Sequence, residues 1–366
     1  MASPNEFVIA AAGSGKTTLL LDEALADRAK RVLITTYTRE NLREIQTRLW
    51  QAAGTEPHQV TTMSWFEFLL REGVKPYQAY KTNILSIRSI NFQVRRGNVP
   101  ALRYARKDDF HQYYTDAGLN LYQDVVSDLV CALDQASGGK IVARLANCYD
   151  AIFIDEIQDL AGPDLDLLIR LMDSDLRVLG VGDPRQSVYV TNTANRNRQH
   201  RRAAIMGWIE TQVKRGRLTT QALSDSYRCN QVICDFADAL YPDMPATTSK
   251  NGETPADMGA HLVNIDHLEA YRATHAPQEL RWDKRSKWAS NTALNMGEVK
   301  GMSFDRVLIH PTGTITASIE KGADLAPATR AKYYVAVTRA RHSVGIVTEK
   351  STTKSQLTFW KPPTAS

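Results

Sequence analysis

The chain has 366 residues, 43% of them hydrophobic and 23% charged, with a formal net charge of +5. That length suggests about two or three domains with true apolar cores, and the mild positive balance permits a polyanionic partner without requiring one. No run of about eighteen apolar residues occurs, which argues against a membrane span. The four cysteines (Cys131, Cys148, Cys229, Cys234) show neither a C-x-x-C pair nor zinc spacing and read as reduced thiols. The start, "MASPNEFVIAAAGSGK", has no basic region ahead of its apolar run and reads as a buried strand rather than an export signal, so a cytoplasmic protein is expected.

In chain order, "EFVIAA" predicts a strand and "TTLLLDEALADRA" a helix with Leu20, Ala24 and Leu25 on one side; the glycines fall between them. "RVLITTYT" repeats the strand pattern, and "RENLREIQTRLWQAA" is a charged amphipathic helix. Alternating strands and helices imply a parallel α/β sheet. From about Phe66 to Asn147 the pattern changes. "VRRGNVPALRYARKDDF" is basic, and "LYQDVVSDLVCALDQA" places Leu121, Val125, Leu129 and Leu133 four residues apart, which predicts a mostly helical insertion. Strands return with "AIFIDE" and "RVLGVGD". A second α/β block follows "SYRCNQVICDFADAL", with strands in "RVLIHPT" and "SVGIVTE". The stretch 241–290 is polar, rich in proline and glycine, and carries no clear element. The expected domains are 1–65 with 148–217, an insertion 66–147, and 218–366.

Ala10-Ala11-Ala12-Gly13-Ser14-Gly15-Lys16-Thr17 is the phosphate-loop pattern G-x-x-x-x-G-K-[ST] with alanine at its first position. Small residues let the backbone N–H groups from Ala12 to Thr18 close around phosphates at a helix N-terminus. Lys16 then reaches the β- and γ-phosphates, and the Thr17 hydroxyl suits Mg²⁺. Further on, a buried apolar strand ends in Asp155-Glu156: Asp155 is the second Mg²⁺ candidate, and Glu156 the acceptor of a proton from attacking water.

With Asp155-Glu-Ile-Gln-Asp159, the chain resembles the UvrD/Rep-like helicases of superfamily 1, whose signature is D-E-x-Q-D. Further stretches match in order: "TTYTRENLREI", "TTMSWF", "VGDPRQSVY", "DSYRCNQVI", a degenerate "EVKGMSFDRV", and "YVAVTRAR". The resemblance implies two RecA-like P-loop NTPase domains using ATP and Mg²⁺. It gives Gln186 a contact with the γ-phosphate or attacking water, and Tyr227 a stacking role on adenine. Arg228 and Arg339 would reach the γ-phosphate, where guanidinium groups stabilise the charge that phosphoryl transfer develops. Gly301 joins the nucleotide contacts. Two plainer readings stay open: Gln186 as a turn cap, and Arg228 paired with Asp225.

For the strand, the resemblance names Thr36 and Tyr37, Ser64 and Trp65, and Tyr189. The aromatics are either base-stacking platforms or core residues. Two basic stretches, Asn195–Arg202 and Arg95–Lys107, are each either a path for phosphates or ordinary surface. The pattern also breaks. Nine residues precede Ala10, leaving no room for the family's glutamine motif, so nucleotide preference is expected to rest on Tyr227. Gly297 and Ser303 replace the usual histidine and glutamate. About seventy residues separate Arg228 from Lys300, too few for the family's large helical domain. The expected function is an ATP-dependent translocase or helicase on single-stranded or tailed DNA, moving 3′ to 5′, with self-association or a partner protein replacing the missing domain. The alternative is a DNA-sensing ATPase subunit of a defence or repair complex that unwinds little itself.

Overall fold

The computed structural model describes residues 5–83, 87–94, 96, 99–102, 104–189, 192, 194–253, 255 and 257–363. Both expected parallel sheets are present, each of six strands. The first is built from β1 (Glu6–Ala10), β2 (Val32–Thr36), β3 (Val60–Ser64), β4 (Ala151–Asp155), β5 (Arg177–Gly182) and β6 (Thr219–Leu223). Their order across the sheet is β3-β2-β4-β5-β1-β6. Every residue of β2 and β4 is buried. That explains why these strands read as continuous apolar runs: helices cover both faces of a parallel sheet, so no face alternates to solvent.

The register aligns the carboxyl ends. Thr36 lies opposite Ser64, Asp155 opposite Val181, and Ile9 opposite Gly182. Residues leaving these strands therefore emerge along one edge, the side on which open α/β sheets hold their ligands. Helix α1 (Lys16–Leu25) follows β1 and buries Leu20, Leu21 and Ala24. Helix α2 (Arg39–Ala53) begins at Thr38, whose side chain accepts from the Asn41 N–H, and ends at Gly54 in the left-handed region, whose N–H reaches the Trp50 carbonyl.

The segment 66–147 opens within a short α-helical turn, Trp65–Phe68, continues as a π-helical turn, Leu69–Val74, and closes with α3 (Val126–Ala136) and α4 (Lys140–Cys148). The apolar spacing predicts a helix from Leu121, but Leu121–Tyr122 is a short strand paired in parallel with Ile90–Asn91. The Leu121 N–H bonds the Ser89 carbonyl, so strand pairing takes this residue and the helix starts at Val126. Leu121, Val125, Leu129 and Leu133 are all buried nonetheless.

The second sheet contains β7 (Gly259–Asn264), β8 (Gln278–Arg281), β9 (Leu294–Asn295), β10 (Phe304–His310), β11 (Ala340–Thr348) and β12 (Thr358–Phe359), in the order β9-β8-β10-β11-β7-β12. All its pairings are parallel. The stretch 241–290, unassigned from sequence, supplies β7, β8 and a helix at Leu268–His275. No helix among the described residues is long and apolar enough to cross a membrane.

The chain divides into two compact units. One holds residues 1–9, 16–184 and 189–221; the other holds 10–15, 185–188 and 222–366. The first half of the glycine loop and the short segment 185–188 thus pack as parts of the second unit.

Candidate nucleotide and strand site

The loop after β1 needs its glycines. Gly13 and Gly15 have φ of 75° and 82°, a region L side chains rarely adopt. At Gly13 there is also no space: a Cβ would lie 2.6 Å from the Arg228 Cβ and 3.1 Å from the Ser226 Oγ. Ser226 donates its hydroxyl to the Ala12 carbonyl at 2.8 Å, and the Tyr227 N–H donates to the Gly13 carbonyl at 3.0 Å. The segment Ser226-Tyr227-Arg228 is thereby fixed on residues 12 and 13, with the Tyr227 ring 66% exposed and open for stacking.

Ser14 is buried, and its Oγ has no hydrogen-bond partner among the described residues. An orphaned hydroxyl within a positive-φ turn at the start of a helix fits a phosphate oxygen, which would satisfy both the hydroxyl and the N–H groups of the first helical turn. Lys16 and Thr17 stand in that turn. Thr18 is turned elsewhere: its Oγ1 accepts from Arg48 at 2.6 Å, which leaves its backbone N–H as the group to face a phosphate.

Asp155 ends β4, buried, and accepts from the Thr36 hydroxyl at 3.3 Å. Glu156 follows with φ 55°, an unusual conformation for a non-glycine residue, and its carboxylate accepts from the Gln158 amide. Gly182 makes this arrangement possible: a Cβ there would fall 2.0 Å from the Gln158 Oε1. Gln158 and Gly182 thus orient Glu156, a role no spacing pattern reveals. Oxygen ligands from Thr17 and Asp155 suit a hard cation such as Mg²⁺.

In the second unit, Gln186 and Arg339 meet. The Arg339 Nη2 donates to the Gln186 Oε1 at 3.1 Å, while its Nε and Nη1 donate to the Val335 and Met302 carbonyls at 3.1 Å each. Arg339 is only 1% exposed, so its guanidinium is fixed in advance. Arg228 joins it through Thr338, whose carbonyl accepts from Nη1 at 3.3 Å. The buried Cys229 thiol is held below its usual range by the hydrogen bond from Cys234, against burial, and the positive charges of Arg228 and Arg339 add to the effect. As for the two plainer readings, the Gln186 Oε1 accepts from Arg339, and the Asp225 carboxylate lies 3.7 Å from Lys250. Gly301, at φ 90°, is exposed with open space around it. Sequence spacing does not single out Arg185; it is buried, bonded to Asp238 at 3.0 Å and stacked over Tyr334, and secures the Gln186 segment.

The strand candidates separate. Tyr37 is half-buried, with its hydroxyl accepting from Gln123 at 3.0 Å and its ring 5.7 Å from Phe66. Phe66 in turn meets the exposed Phe92 edge-on at 5.2 Å. Trp65, expected to stack a base, is 1% exposed, and its indole N–H donates to the buried Asp164 at 3.0 Å. Its ring belongs to the core; the aromatic faces at this corner are those of Tyr37, Phe66 and Phe92. Ser64 caps the following turn by accepting from the Glu67 N–H, the Thr36 hydroxyl is taken by Asp155, and Tyr189 is half-buried. In the basic stretches, Arg196 binds Asp166, Arg96 lies 3.9 Å over the Tyr113 ring, and Lys107 pairs with Asp128 at 2.6 Å. Arg95 and Arg103 lie outside the described residues.

Two family models match this chain: an AAA domain over residues 1–192 and the viral superfamily 1 RNA helicase core domain over residues 140–348. The chain belongs to the superfamily 1 helicases. The two six-stranded parallel sheets are consistent with the two RecA-like domains of that family. Among solved structures it is similar to arterivirus nonstructural protein 10, a helicase, at 14% identity and a TM-score of 0.48, covering 95% of this chain and 60% of that one. The same arterivirus protein in complex with DNA gives 14% and 0.49, with coverage of 95% and 61%. The PRRSV helicase gives 16% and 0.47, with coverage of 94% and 52%. The superfamily 1 core described here therefore spans between about half and three fifths of those proteins. No curated protein matches it.

Proposed function

We propose that this chain is an ATP-driven translocase of the UvrD/Rep-like kind, moving 3′ to 5′ along single-stranded DNA and separating tailed duplexes. The observation that carries the reading is the company of Gly13: the Tyr227 N–H is anchored on the phosphate-loop backbone with its ring open for a base, and the Arg228 Cβ packs against the turn. In this reading Lys16 and the N–H groups of Ala12 to Thr18 hold the triphosphate, and Thr17 with Asp155 holds Mg²⁺, which neutralises phosphate charge when bound. Glu156, aimed by Gln158, takes the proton of the attacking water. Arg339 and Arg228 stabilise charge on the transferred phosphoryl group, with Gln186 reporting its presence to Arg339. Tyr37 with Phe66, and Tyr189, supply base contacts.

The test is ATP hydrolysis by the purified chain with and without single-stranded DNA or RNA, then strand displacement on 3′- and 5′-tailed duplexes. Stimulation by DNA and displacement from a 3′ tail are expected. Stimulation by RNA alone would transfer the substrate to RNA, as in the name of the matched core model. Failure of any strand to stimulate would remove the motor reading. The second reading, a DNA-sensing ATPase subunit, is favoured by one observation. The stretch between Arg228 and Lys300 is occupied by β7, β8, β9 and two helices, all elements of the second unit itself. Stimulation without displacement, restored by an added protein, would establish that reading.

A further inference from the structure

The helicase motifs do not account for the carboxyl end of the second sheet. The connection from β8 to β9, residues 282–293, reads "WDKRSKWASNTA" and puts three cations between two tryptophans. The two indoles have different fates. The ring of Trp282 is covered by the Lys332 ammonium, 4.2 Å from its centroid. Trp288 is 51% exposed and sits at φ +64°, a conformation that is a true outlier for a bulky residue.

Such a backbone persists only where its surroundings hold it. The Trp288 carbonyl accepts from the Arg272 Nη2 at 2.5 Å, and its indole N–H donates to Glu349 at 3.2 Å. Arg272 is itself fixed by both oxygens of Glu279, at 3.1 and 2.9 Å. Glu279 also accepts from the Ser290 N–H at 3.0 Å and lies 2.6 Å from the His310 Nε2. His310 is 2% exposed and Glu279 7%, so a buried polar network sets the pose of one exposed indole.

That indole forms one wall of a cavity of about 300 Å³, shared with Lys287, His310, Thr316, Thr348 and Lys350. Nearby acids are already engaged: Asp283 with Arg285, Glu320 with Lys350, and Glu349 with Trp288. Lys284 and Lys287 have no ion pair among the described residues. A rigid exposed ring, a cavity large enough for a single small ligand unit, and two such lysines along the same loop match a polymer that repeats a flat base and a negative charge.

We propose that this cavity is a nucleotide-sized subsite for single-stranded nucleic acid, with one base stacked on Trp288 and the adjoining phosphates on Lys287 and Lys284. A free nucleotide or an acidic peptide would leave one of these features without use: Lys287 lines the cavity and Lys284 does not, so one nucleoside monophosphate in the cavity leaves Lys284 over, and a peptide has no planar group at each step. The proposal rests on the helicase reading above, and it adds a strand contact on the second domain that none of the family motifs contains.

The test uses the full chain and a labelled oligothymidylate, with affinity followed by anisotropy over a range of salt. Trp288→Ala is expected to weaken binding about tenfold, within the usual worth of a stacked base, while Trp288→Phe keeps most of it. Lys284→Ala with Lys287→Ala should lower the salt slope by about 1.4, roughly 0.7 for each phosphate no longer neutralised on a single strand. Hydrolysis of ATP without strand should equal wild type in every variant, which shows that the fold and the phosphate loop are intact. Wild-type affinity in Trp288→Ala would overturn the subsite. So would competition by thymidine monophosphate or a polyglutamate peptide at the concentration of the strand. A wild-type chain that binds no oligonucleotide would instead sink the helicase reading, so the two failures are distinct.

Discussion

The two RecA-like domains each have a parallel six-stranded sheet of the same strand order, but the residues proposed for nucleotide lie at opposite ends of the two sheets. In the first, the chemistry follows the strands: the Ala10–Thr17 loop leaves β1, Thr36 ends β2, and Asp155 ends β4. In the second, the residues proposed for nucleotide precede the strands: Gly301 comes just before β10 and Arg339 just before β11. The carboxyl end of the second sheet carries instead the Arg272–Glu279–His310 network and the exposed Trp288. The glycine loop after β1 offers backbone donors to a phosphate; Arg339, immobilised on backbone carbonyls, offers a preset positive charge. A shared topology therefore does not by itself say which edge is functional, and the side chains decide.

The largest effect should come from disabling the first edge. Lys16→Ala and Glu156→Gln are each expected to reduce ATP turnover by about a thousandfold or more while the unfolding midpoint stays near wild type, since both act on charge and proton transfer. Near wild-type turnover in Glu156→Gln would return that residue to a structural role. Gln158→Leu is the finer probe: it leaves Glu156 in place without its orienting donor and should reduce turnover less than Glu156→Gln does, with nucleotide affinity unchanged.

Trp65 contrasts with the half-buried Tyr37 and Phe66 of the same edge. Trp65→Ala should cost about 3–5 kcal/mol of stability by denaturant unfolding, because it removes a buried ring and the partner of Asp164. If stability holds and strand affinity falls, the ring is a stacking platform after all. On the second domain, Tyr227→Ala should raise the KM for ATP about tenfold with little change in stability, as expected for an exposed stacking ring.

The smallest effect concerns pH at the second edge. Burial opposes ionisation of Glu279, yet Arg272, the Ser290 amide and His310 overcome it and bring its pKa down from 4.5 to about 2. A depressed carboxylate stabilises the fold above its unfolded value and loses that contribution as pH falls from about 4.5 toward 2. Between pH 5 and pH 3, the unfolding midpoint of wild type should therefore drop further than that of Glu279→Gln. Equal drops would remove Glu279 from the acid response.

Much of this protein is legible in its residues. The apolar runs of β1, β2, β4 and β5 announce buried parallel strands, and the glycine loop with Lys16, then Asp155-Glu156, marks the proposed phosphate and metal groups by short-range spacing. Such signals are readable because they lie within a few residues of one another. The stretch 241–290 is not, because β7 and β8 are short and mixed in character, and they become strands only when β10 and β11 pair with them. Only the tertiary structure could place Trp65 in the core, seat Gly13 against Arg228, and bring Gln186 to Arg339 across 153 positions of sequence. Composition and spacing determine which groups are available; burial and long-range packing decide which of them face a ligand, because those depend on neighbours the local sequence does not contain.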